Sequence, residues 1–187
     1  MHQLDEDYEI TIVQKQNQKK DKKHDFKDCI KKICTLKTLE NFSYFLYHLP
    51  RLNELSYITD INVFKAGIQP MWEDENNIAG GKLIIKVRRD LGQRLFEKLL
   101  IYMVAPLFCS IDVNGIVASI RLKYINLVIW TRTCPKDENT AEIIKEIKDA
   151  MGIDFDISVE FKNNDESLKD NSSFRNTLNI TELHKNS

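Results

Sequence analysis

The stretch Gly115 to Thr131 restricts the fold more than any other part of the chain. Alternation puts Ile116, Ala118, Ile120 and Leu122 on one face of a first strand and Val117, Ser119, Arg121 and Lys123 on the other. A second strand follows at once, joined around Tyr124, Ile125 and Asn126. Two strands so closely connected run antiparallel, since a parallel crossover needs a dozen residues or more. Arg121 and Lys123 are therefore expected side by side on a polar strand face. The second strand is apolar on both faces through Leu127, Val128, Ile129 and Trp130, which marks Trp130 as a core residue.

The rest of the chain supplies partners for that hairpin. Tyr8 to Val13 alternates as a strand, Gln14 to Asp25 is a polar loop, and Phe26 to Leu36 reads as a further strand. Thr38 is an N-cap, with Glu40 in the first turn, for a helix whose stripe of Leu39, Phe42, Phe45, Leu46 and Leu49 ends at Pro50. In Lys82 to Arg89, Leu83, Ile85 and Val87 share a buried face, while Lys82, Lys86 and Arg88 share a cationic one with Ile84. Gln93 to Phe108 is apolar enough for a core-facing helix. A third helix is expected from about Thr140 to Met151, capped by Asn139 or Thr140 and stopped by Gly152. It should turn Ile143, Ile144 and Ile147 inward and Glu142, Lys145, Glu146 and Lys148 outward. Ile157, Val159 and Phe161 alternate in a last strand, and the polar residues 163–187 are expected to form a mobile tail. The pattern predicts an α+β fold on an antiparallel sheet, with one domain over residues 1–162.

Charge and cysteine usage narrow the function classes. With 27 basic and 28 acidic residues the chain has no overall basic field, so any contact with nucleic acid must be local. No stretch approaches a membrane span or a signal-peptide core, and an intracellular, soluble chain is expected. Cys29, Cys34, Cys109 and Cys134 have no metal-ligand spacing and read as reduced structural thiols. A hydrolase built on Asp60, Glu73 and Asp74 would lack a paired His, and these acids, with Glu75, hold no fixed spacing for a divalent metal. No metal or cofactor is expected.

Between these elements lies Val63 to Gly81, where Trp72 stands directly before Glu73, Asp74 and Glu75 among the turn-forming Gly67, Pro70, Gly80 and Gly81. Two readings stay open on the residues alone. Either the indole is exposed beside a carboxylate for a flat, charged, hydrogen-bond-donating ring, or it is half-buried under a loop with the acids solvated.

The block Phe64-Lys65-Ala66-Gly67-Ile68-Gln69-Pro70-Met71-Trp72-Glu73-Asp74, followed by Asn77 and by Gly80-Gly81, resembles the cap-binding translation initiation factor 4E family. Supporting similarity extends from roughly Tyr8 to Phe161. The resemblance implies a curved antiparallel sheet with three helices on its convex face, and a concave pocket for the 7-methylguanosine cap of mRNA. It implies that Trp72 and Phe26 sandwich the methylated guanine, which carries a positive charge attracted to aromatic faces. Glu73 would accept from the guanine N–H edge, and Arg121 and Lys123, with Lys82 beside them, would receive the triphosphate. Phe26 stands where the family usually has Trp, implying an affinity lower by about 1 kcal/mol. The scaffold protein 4G and 4E-binding proteins are the partners implied for the convex face, through Leu39, Ser43, Phe96 and Glu97. Ser43 replaces an exposed Trp of the family, which weakens that contact, with Tyr44 or Tyr47 in place to compensate. A cytoplasmic, monomeric, non-enzymatic initiator is implied. A cap-competing repressor or an interaction module that has lost the cap are the alternatives.

Overall fold

The computed structural model describes residues 1–14, 26–55, 59–170, 172 and 174–183. In chain order these form β1 (Gln3–Gln14), a 3-10 turn (Phe26–Cys29), β2 (Ile30–Thr38), α1 (Leu39–His48), β3 (Thr59–Lys65), β4 (Gly81–Arg88) and α2 (Arg89–Val104). Then come β5 (Val113–Ile120), β6 (Tyr124–Thr131), a 3-10 turn (Asp137–Asn139), α3 (Thr140–Met151), β7 (Val159–Asn163), α4 (Asn164–Asp170), β8 (Leu178–Asn179) and α5 (Ile180–Leu183). All eight strands join one antiparallel sheet in the order β2-β1-β3-β5-β6-β4-β7-β8.

Period-two alternation sorts the sheet into two faces. Leu83 and Ile85 of β4, Ile116, Ala118 and Ile120 of β5, and Ile125, Leu127 and Ile129 of β6 face Leu95, Phe96, Leu99 and Leu100 of α2 and Ile143 and Ile147 of α3 in the main core. The alternate residues Phe64, Ile84, Val117, Val128 and Trp130 gather with Ile68 into a smaller cluster on the opposite, concave face. α1, α2 and α3 back one face of the sheet, and an apolar platform occupies the other.

Two helix ends follow local chemistry. Thr38 caps α1 by accepting a hydrogen bond from the Asn41 N–H at 3.2 Å. Gly152 closes α3 in the left-handed region at φ 62°, where its N–H bonds back to Asp149.

Several expectations are corrected. β3 lies partly in a stretch read as turns. The turn of the central hairpin falls at residues 121–123 rather than at Tyr124, because Arg121 N–H closes it on the Tyr124 carbonyl and pairing runs from Ile120↔Ile125. Arg121 and Lys123 thus sit in the turn and not on a strand face. α2 begins at Arg89, four residues ahead of its apolar stripe, with Asp90 in the first turn. Glu146 faces inward, since its carboxylate accepts the Cys109 N–H at 2.6 Å and the Ser110 N–H at 3.1 Å. The boundary at residue 162 is also displaced. Asn164 and Ser167 are buried, β8 pairs with β7, and Ile180 enters the main core, so described residues beyond 162 pack onto the sheet and its core. Polar composition concealed this because the segment is fixed by hydrogen bonds more than by apolar area.

Candidate functional site

The concave face offers one built site, and it starts with the loop 66–80. β3 delivers the chain at Lys65, Gly67 turns it at φ 87°, and the loop returns at Gly80. A Cβ at Gly80 would lie 1.8 Å from the Thr131 carbonyl oxygen, so only glycine lets the loop rejoin β4 there. Inside the loop, Asp74 accepts the N–H of Gln69 at 2.8 Å and of Asn76 at 2.9 Å. Asn77, fully buried, donates its amide to the carbonyls of Gln69 and Met71 at 2.8 and 2.9 Å. Asn114 of β5 donates to the Asn76 carbonyl at 2.7 Å, and Asn164 of α4 to the Asn77 carbonyl at 2.7 Å. A long loop held at this many backbone groups presents its tip in one conformation.

That tip carries Trp72 and Glu73. Trp72 is half-buried against the cluster of Phe64, Ile68, Ile84, Val117, Val128 and Trp130. Glu73 is exposed. Both readings of Trp72 left open by the sequence are thereby resolved into one: its ring rests on a floor and keeps part of its surface outward. Trp130, by contrast, is buried at 6% exposure and meets Phe64 edge-to-face with centroids 5.6 Å apart.

The cations divide. Arg121 is partly buried and donates through Nη1 to Asp60 Oδ1 at 2.8 Å and to its neighbour's carbonyl at 2.8 Å. Ser119 Oγ donates to the same Asp60 oxygen at 2.6 Å. Asp60 is therefore an arginine orienter, and among the described residues no group of three His, Cys, Asp or Glu side chains could hold a metal. Lys123 is exposed on the same turn. Lys82 departs from expectation: it is 1% exposed, its Nζ donates to Ser167 Oγ at 3.0 Å, and it lies 4.9 Å from the Trp72 ring centroid and 5.1 Å from that of Trp130. It is not an open cation on a strand face, because α4 covers it. Phe26 heads the 3-10 turn before β2, where β2 pairs with β1 at Ile30↔Val13. Its side chain lies outside what the structure describes.

On the helical face the expected contact residues separate too. Leu39 and Ser43 are exposed on α1, with Tyr44 and Tyr47 beside them. Phe96 is fully buried in the main core, so it cannot touch a partner as expected; the period of α2 turns it inward with Leu99 and Leu100. Glu97 accepts from Gln93 Nε2 at 2.6 Å. Sequence reasoning missed Asn77, Asn114 and Asn164, whose roles depend on contacts far apart in the chain, and Lys162, buried on β7 with its Nζ donating to the Arg175 carbonyl, which no local pattern signals.

Comparison with known proteins gives consistent results. Residues 3–179 match the family model described as Eukaryotic initiation factor 4E. A rice relative, "Eukaryotic translation initiation factor NCBP" of Oryza sativa subsp. japonica, is 37% identical over 153 residues, covering 81% of this chain and 67% of the relative. The fold is similar to the crystal structure of Ascaris suum eIF4E-3 with m7G cap, at a TM-score of 0.72 and 27% identity, covering 87% of this chain and 91% of that one. It is similar also to Caenorhabditis elegans eIF4E-3 in complex with the 4E-binding protein Mextli and cap analog, at a TM-score of 0.78 and 26% identity, covering 95% and 99% of the two chains.

Proposed function

The chain belongs to the eukaryotic initiation factor 4E family, and from that premise we propose that it is a non-enzymatic protein that binds the 7-methylguanosine cap of mRNA and recruits it for translation initiation. One observation carries the reading: the half-buried Trp72 on its apolar floor, followed directly by the exposed Glu73 carboxylate, on a loop fixed from both ends. Methylation at N7 gives guanine a positive charge, so stacking on Trp72 gains a cation–π term that the unmethylated base lacks. The N1–H and N2–H edge then has a two-oxygen acceptor in Glu73. Arg121, fixed by Asp60, and Lys123 on the same turn are suited to the phosphates. Phe26 is the proposed second stacking ring.

The relative solved with Mextli supports a 4E-binding partner for this chain as well. The surface proposed for it is the exposed side of α1 at Leu39, Ser43, Tyr44 and Tyr47, without Phe96. No described helix is long and apolar enough to cross a membrane, and the cytoplasm is the proposed place of action. A single cap-binding domain running to Leu183, acting as a monomer, is the proposed organisation.

Tryptophan fluorescence tests the reading. Titration with 7-methyl-GTP should quench emission saturably, GTP should bind at least about tenfold more weakly, and Trp72→Leu should abolish the response while Trp130 still emits. Equal responses to the two nucleotides would overturn the proposal.

A further inference from the structure

The turn that carries Arg121 and Lys123 is poorly matched to the hairpin it closes. The Arg121 N–H bonds to the Tyr124 carbonyl at 2.9 Å, leaving Leu122 and Lys123 as the central pair. Two-residue turns that follow the twist of their strands need a positive φ at the first central residue or at both, and the other common types splay the strands. Among the described residues, Asn176 is the only one other than glycine with a positive φ. Leu122 is 67% exposed, so packing adds little hold at the tip.

A hold comes instead from α2. Arg89, the first residue of that helix and partly buried, donates through Nη1 to the Arg121 carbonyl. Its Nη2 donates to the Asn53 carbonyl at 2.7 Å, with the carbonyls of Leu55 and Leu52 at 3.3 and 3.5 Å. All four acceptors are main-chain oxygens, which fits a brace between two segments. The far segment is anchored in turn: Leu52 is fully buried in the main core, and its N–H donates to Gln93 Oε1 at 2.9 Å. The near side of the helix is seated too, since a Cβ at Gly92 would lie 2.5 Å from Ile125 Cδ1, just after the turn. Only a planar fork of several donors can span acceptors on two segments at once; an ammonium is a single point.

We propose that Arg89 is a positioning residue, which fixes the backbone of the turn at residues 121–123 to the loop at 52–55 and so aims the Arg121 and Lys123 cations. The inference rests on the reading of these two cations as phosphate contacts. Asp60 orients the Arg121 side chain, whereas Arg89 orients the backbone from which both cations project. Its loss should therefore be felt by a ligand's phosphates and not by its base.

Calorimetric titration of the full chain with 7-methylguanosine, 7-methyl-GTP and inorganic tripolyphosphate tests it. Arg89→Met keeps the stem and removes every donor; it should weaken 7-methyl-GTP and tripolyphosphate by roughly tenfold and 7-methylguanosine by less than about twofold. Arg89→Lys should do no better than Arg89→Met by more than about twofold, because the charge returns without the fork. Full recovery in Arg89→Lys would assign the effect to charge alone, and equal losses on all three ligands would assign it to general stability; either overturns the proposal. Should neither variant fold, nuclear magnetic resonance of the Arg89 guanidinium in the unaltered protein decides. Hindered rotation, with signals shifted by 7-methyl-GTP but not by 7-methylguanosine, supports the brace, and free rotation or equal shifts refute it. Tripolyphosphate carries no base, so its arm stands even if 7-methyl-GTP and GTP bind alike and the cap reading fails.

Discussion

The Tyr8 hydroxyl is buried against the Met103 carbonyl, to which it donates at 3.3 Å. Burial, reinforced by the charges of Glu6 and Asp5, pushes its pKa up to about 12 from an ordinary 10.0. A raised folded-state value keeps its contribution to stability intact below pH 10 and removes it as pH climbs from 10 through about 12. Urea midpoints on either side of pH 10 should therefore fall with pH in the unaltered chain, and the slope should flatten in Tyr8→Phe. Asn77 makes a second single-residue test. Asn77→Ala leaves the Gln69 and Met71 carbonyls without their donor and should cost about 1–3 kcal/mol in chemical denaturation, with 7-methyl-GTP binding weakened through the loop. Neither role is written in the local sequence. What sequence did show at this scale is the difference between the two tryptophans: Trp130 sits in an unbroken apolar strand, whereas Trp72 stands among acids and turn formers. Lys82 was misread because alternation says which face a side chain takes, not what later covers that face.

Elements with local signals were legible nearly to the residue. α3 occupies Thr140–Met151 as its stripe and its glycine stop dictate, and α1 begins after the Thr38 cap. Thr38→Ala should cost about 1 kcal/mol, read as a drop in thermal midpoint. Glu146 shows where local reading ends. On a helical wheel it belongs with the charged side, yet it accepts two backbone N–H groups from the loop after α2. Glu146→Gln should retain part of this bonding, while Glu146→Leu should strand both donors and cost about 2–4 kcal/mol more than the amide variant, a gap that paired denaturation curves would reveal. The central hairpin was legible as a hairpin but its turn was displaced, since Tyr124 fits a strand as well as a turn.

At the scale of the molecule, the α+β class, the antiparallel sheet and the helical backing follow from alternation and stripes, and the concave platform follows once the faces are assigned. The C-terminal segment was not legible. Its few apolar residues suggested no fold, yet Ile180 reaches the main core. Ile180→Ala should destabilise the whole domain by about 2–4 kcal/mol in a single cooperative transition; an unchanged midpoint would show the segment to be dispensable.

The strand order also fixes when the sheet can exist during synthesis. β4 pairs only with β6 and β7, and both are made after it, while β3 and β1 can pair as soon as they emerge. A nascent chain halted near residue 112 would carry a three-stranded piece and an unpartnered β4, with Leu83, Ile84, Ile85 and Val87 uncovered. The ribosome therefore releases the two halves of the binding platform separately, and the β5–β6 hairpin is the clasp that joins them.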